Sequence, residues 1–132
     1  VVRTDPHDPL EQRVLAIAQG VASLLDAHAP DVDALERVLA EHNVRTVMGT
    51  GQASGVVLQV AAARGLTVAL HTPSEVKAAV TGHGSADKKQ VAFMIARLLP
   101  AAGGPTQDAA DALAVAIAHA HARNSRRTGV AA

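Results

Sequence analysis

The chain has 132 residues with 48% hydrophobic and 18% charged residues, enough for one packed core and too apolar for a disordered segment. It has no cysteine, which excludes disulfides, zinc–thiolate sites and cysteine nucleophiles, and a single aromatic, Phe93, so the core is expected to be aliphatic. Formal net charge is zero, but Lys77, Lys88, Lys89 and Arg97 form a basic stretch with Asp87 as its one acid, and the residues from Asp5 to Glu41 are acidic.

No apolar run approaches 18 residues without a charge, and no basic-then-apolar leader is present. The expectation is a cytoplasmic protein with no membrane partner. After "VVRT", the Asp5-Pro6 and Asp8-Pro9 pairs predict turns. Leu10, Val14, Ile17, Val21, Leu24 and Leu25 recur at helical spacing up to Ala29-Pro30. "VDALERVL" (32–39) alternates as a strand does, although Leu35 and Leu39 also suit a helical turn.

Residues 43–65 predict a helix with Gly65 at its C-terminal cap, and "LTVALHT" (66–72) is the clearest strand. Thr72-Pro73-Ser74-Glu75 opens a short helix to about Val80. "TGHGS" (81–85) is a glycine-rich loop, and Ser85-Ala86-Asp87-Lys88 starts a further helix that stops at Leu99-Pro100. A final helix follows "AAGGP", and residues 124–132 read as a flexible tail. Two or three strands among five helices make a thin sheet for an α/β domain.

Several residue sets suggest chemistry. Asp108 and Asp111, three apart on the last helix, share a face with Cβ atoms ~5–6 Å apart. Such a pair favours the helix dipole behind a Thr106 cap, or ligates a hard cation if a third acid arrives from elsewhere; spacing leaves both open. Glu36 is the candidate third acid; otherwise it faces solvent beside Arg37 or Arg45.

"MGTGQASG" (48–55) imitates a dinucleotide loop, but it follows no strand and has His71 where an acid should stand, so a helix of small residues fits better. His119 and His121 lie two apart, on different helix faces, and read as partners of the C-terminal dipole. "TGHGSADKK" (81–89) is either a solvated loop and helix end or a phosphate clamp.

In order along the chain, "ALERV", "NVRTVMGTGQASGVV", "TPSEVKAAVTGHGSADKKQVAFMIARLL" and "DAADALAVAIAHAH" resemble the RuvC family of Holliday-junction resolvases. The resemblance implies an α/β, ribonuclease-H-like fold whose mixed sheet is flanked by helices, as one nuclease domain over residues 1–123. It implies a structure-specific endonuclease that cuts two symmetric phosphodiesters of a four-way DNA junction in recombination and repair. Glu36, Asp108 and Asp111 match three of the family's four catalytic acids, implying two Mg²⁺ ions in a complete site, with Mn²⁺ as a substitute. Lys77 and Lys88 match lysines near the DNA backbone, and with Lys89, Arg45 and Leu39 they make the expected DNA-contacting set. The helix at 43–64 matches the one that packs across a homodimer, and a branch-migration motor is the expected partner on the junction.

Two departures qualify these expectations. Leu39 stands where relatives commonly carry an aromatic wedge. The family's first catalytic aspartate belongs to an Asp-Pro-Gly signature on the first strand, which these residues lack; Asp5-Pro6-His7 and Asp8-Pro9-Leu10 follow the third-strand-like "VVRT". About the first two strands are thus expected to be missing. With three acids instead of four, this chain is expected to cleave weakly or not at all, and a non-cleaving, dimeric junction-binding module is the alternative.

Overall fold

The computed structural model describes residues 1–39 and 43–129. Five helices and two strands appear in the order expected: α1 (Leu10–His28), β1 (Val32–Glu36), α2 (Val44–Ala63), β2 (Thr67–His71), α3 (Pro73–Thr81), α4 (Lys88–Leu98) and α5 (Gln107–Arg127). A 3-10 turn at Pro100–Ala102 separates α4 from α5. β1 and β2 pair in a two-stranded parallel sheet, the arrangement that an intervening helix such as α2 permits.

Most element ends are set by local chemistry. α1 stops where Ala29 turns left-handed at φ 42° and donates its N–H to the Leu25 carbonyl, with Pro30 next. Asn43 caps α2 by accepting from the Thr46 N–H at 3.2 Å. At the other end the N–H of Gly65 donates to Ala62 and that of Leu66 to Ala61, the paired bonds of a Schellman stop. Gly65 supplies the positive φ of 71° that this stop requires.

α3 opens with a reciprocal capping box. The Thr72 hydroxyl accepts from Glu75 N–H at 3.2 Å, and the Glu75 carboxylate accepts from Thr72 N–H at 2.9 Å. Asp87 and Gln90 repeat the device at the start of α4, both bonds at 2.8 Å.

The chain divides into two compact units: residues 1–33 with 38–69, and residues 34–37 with 70–132. In the first, α1 packs on α2, with Val60 and Ala61 buried. The Arg64 guanidinium clasps Asp26 through two bonds of 2.8 and 3.2 Å, which hold the Asp26 carboxyl below its ordinary pKa. In the second unit α3, α4 and α5 enclose an aliphatic core of Val76, Val80, Ala86, Val91, Ile95, Ala110, Ala114, Val115 and Ala118. Alanines on α5 let the helices approach closely. Phe93 is not in this core; its side chain stands on the surface.

Two expectations need correction. "VVRT" forms no strand: Val2 sits over α1 at Gly20, where an added Cβ would come within 2.7 Å of its methyls, and Arg13 Nε donates to the Thr4 hydroxyl at 3.4 Å. Alternating residues become a strand only with a backbone ladder to join; here the apolar member packs on a helix instead. At the other end, α5 continues to Arg127, past the start of the expected tail at Asn124. Arg126 and Arg127 lie in its last turn, where positive charge favours the helix dipole. Arg126 Nε donates to the Ala122 carbonyl at 3.3 Å and Thr128 caps Asn124 at 3.1 Å. Residues 130–132 of the expected tail lie outside the described residues, as does Glu41.

Candidate functional site

The second unit carries most of the chemistry-bearing side chains. Asp108 and Asp111 project from the first turns of α5 and are exposed. Thr106 caps that helix by accepting from the Ala109 N–H at 3.4 Å, and Asp111 accepts from the Gln107 side-chain amide at 2.7 Å. The capping reading of this stretch therefore holds locally, and it leaves the two carboxylates on one accessible face. Glu36 ends β1 and is exposed; the next residue, Arg37, donates its N–H to the His71 carbonyl at 2.7 Å and belongs to the same unit.

All three acids are hard oxygen donors of the kind that bind Mg²⁺. Among the described residues, however, no three His, Cys, Asp or Glu side chains gather closely enough to hold a metal ion. The donor chemistry fits and the grouping does not.

The lysines are spread over two helices. Lys77 is half-buried on α3, whereas Lys88 and Lys89 are exposed in the first turn of α4. Positive charge at a helix N-terminus opposes the macrodipole, at about 0.3–1 kcal/mol per charge near a surface. That first turn has no acid to offset it, although Asp87 caps it. The start of α4 thus combines two exposed ammonium groups with the positive end of a helix dipole, which favours an anion. Leu39, 45% exposed, and Arg45, exposed in the first turn of α2, belong to the first unit.

The histidines depart from the expected reading. His119 lies two turns before the end of α5, too far in to serve its C-terminal dipole; instead its Nδ1 lies 3.2 Å from His71 Nε2 at the end of β2, with the rings edge to face. Its Nε2 is buried without a partner among the described residues. Burial, and then the charges of His71, Arg123 and Arg126, push the His119 pKa below its ordinary value. His121 Nδ1 lies 3.1 Å from the Ala79 carbonyl. The pairing escaped sequence analysis because 48 residues separate the partners; no local spacing carries it.

The crossover junction endodeoxyribonuclease RuvC family model matches residues 1–119. A RuvC of Leifsonia xyli subsp. xyli is 63% identical over 122 residues, covering 91% of this chain and 58% of that protein. One from Clavibacter michiganensis subsp. michiganensis is 55% identical, covering 99% of this chain and 65% of that protein. The chain thus spans about three fifths of the length of these relatives. Among solved structures, T. thermophilus RuvC in complex with Holliday junction substrate superposes with a TM-score of 0.85 at 34% identity, over 92% of this chain and 74% of that one. The fold is accordingly α/β and ribonuclease-H-like, as the resemblance implied. Two helical units, two paired strands and a sequence match from residue 1 to residue 119 lead to one assignment: the chain belongs to the RuvC family.

Proposed function

We propose that the chain acts as its relatives are named to act, as an endonuclease that binds four-way DNA junctions and hydrolyses phosphodiesters there in recombination and repair. The observation that carries this reading is the match of nearly the whole chain, at 34% identity, to a RuvC in complex with a Holliday junction substrate. In this reading residues 1–123 act as one nuclease domain in the cytoplasm. Among the described residues no helix is long and apolar enough to cross a membrane.

Lys77, Lys88 and Lys89 hold the DNA backbone, and Arg45 adds a cation from α2. Leu39 takes the place of an aromatic wedge, with apolar bulk but no ring to stack. Glu36, Asp108 and Asp111 face the phosphodiester to be cut. Magnesium, with manganese as a substitute, is the metal their oxygen donors suit, and two ions belong to a complete site. Because the described acids do not gather into a metal-holding group, these 132 residues alone bind the metal weakly and cut slowly or not at all. That same observation favours a second reading, a dimeric module that binds junctions without cutting.

The homodimer is proposed to form through α2, which leaves Val44 and Met48 68% and 60% exposed. Its Gly49 and Gly51 have open space where a Cβ would be. A branch-migration motor is the further partner this reading implies.

Cleavage of a synthetic four-way junction in Mg²⁺ tests the reading. The 132-residue chain is compared with a version extended by an N-terminal hairpin bearing Asp-Pro-Gly. Both bind the junction; only the extended version cuts, and Asp111→Asn in it abolishes cutting while binding persists. Binding without cutting by either version establishes the module instead. Absence of junction binding overturns both readings.

A further inference from the structure

Phe93, the chain's only aromatic residue, is 61% exposed although burying a phenylalanine ordinarily favours folding. It stands on α4 between Lys89 and Arg97, one helical turn to either side on the same face. The Arg97 guanidinium carbon lies 5.8 Å from the ring centroid. The ring also helps to line an open hollow of about 460 Å³ with Thr81, His83, Lys89, Gln90 and Met94. The only acid between residues 81 and 97 is Asp87, and its carboxylate is engaged by the Gln90 N–H at 2.8 Å.

A flat ring, a concave floor and flanking cations, with the lone acid already hydrogen-bonded, match one kind of occupant: a nucleotide whose base has left its stack. The base packs on the aromatic face and the phosphate meets the ammonium. An apolar protein helix would use the ring but would leave Lys89 and Arg97 facing nothing of opposite charge.

We propose that Phe93 is a stacking platform for an unpaired base of bound DNA, with Lys89 on the adjoining phosphate and Arg97 packed against the ring. This deepens the junction-binding reading and rests on it only for the source of the strand. A stack on Phe93 needs only an unpaired base, which single-stranded DNA supplies. Phe93 lies outside the set of DNA-contacting residues that the family resemblance implied.

The test measures binding of the 132-residue chain to a fluorescently labelled 12-nucleotide oligothymidylate, and to a four-way junction, by anisotropy across a salt series. Phe93→Ala is expected to weaken oligothymidylate binding roughly 5- to 150-fold, the range of one base–aromatic stack, with the salt slope unchanged. Phe93→Leu keeps the bulk, loses the ring face and weakens binding nearly as much, whereas Phe93→Trp retains it. Lys89→Ala instead lowers the salt slope by about one phosphate's share. Thermal melting checks that the exposed substitutions leave the fold intact.

Equal oligothymidylate affinity for the parent chain, Phe93→Ala and Phe93→Leu overturns the proposal, even where junction binding stands. A fall in self-association with Phe93→Ala at unchanged DNA affinity overturns it too, by making this face a protein contact. Oligothymidylate binding that needs Phe93, without junction binding, supports the platform and refutes the junction reading.

Discussion

At His119, burial works against positive charge. One ring nitrogen shares a bond with His71 at 3.2 Å, the other is enclosed, and Arg123 and Arg126 add like charge. The folded protein therefore binds this proton less readily than the unfolded chain does. Stability supplied by the neutral ring is complete above the unfolded pKa of about 6.5 and declines as pH falls through that value towards the depressed folded one. Melting temperature followed by circular dichroism from pH 8 to pH 5 is expected to fall more steeply for the parent chain than for His119→Gln. Parallel curves would show that the pair is indifferent to its proton.

Helix α4 opposes its own dipole. Lys88 and Lys89 occupy its first turn, behind an Asp87 cap that serves the fold. Removing one charge is expected to help folding and harm binding. Lys88→Gln should gain a few tenths of a kcal/mol in urea unfolding and weaken junction affinity, with a salt slope smaller by about one. A loss of stability would mean that Lys88 makes a structural contact. Other element ends were legible because their chemistry is local: Thr72 with Glu75, Asp87 with Gln90, and Gly65 each act within a few residues of sequence. "VVRT" was misread for the opposite reason, since a strand is defined by a neighbour that local sequence does not contain. The extension of α5 past Asn124 was missed because a polar, arginine-rich end resembles a tail until its side chains are seen to bond the last turns.

For the whole molecule the question is assembly. α2 has three wide-open glycines and two largely exposed apolar side chains, a surface that small residues and methionine suit for close helix packing. Sedimentation of the parent chain is expected to show dimers at micromolar concentration and Met48→Glu monomers, with the same circular dichroism. A monomeric parent chain would remove α2 from the dimer proposal. At this scale the candidate acids were only partly legible. Asp108 and Asp111 share a helix face by spacing alone, while the relation of Glu36 to them depends on where β1 meets the rest of its unit.

The sequence by itself determined the order of the elements, most of their boundaries and the family. These follow from helical spacing, caps and long ordered segments that need no knowledge of distant contacts. Only the tertiary structure decided that the lone aromatic is a surface residue and that His71 and His119 form a pair. It also decided that Val2 lies on α1 and that the described acids stop short of a metal-holding cluster. Each of these depends on which surfaces meet after the chain has folded back on itself, and residues tens of positions apart carry no local signal of that meeting.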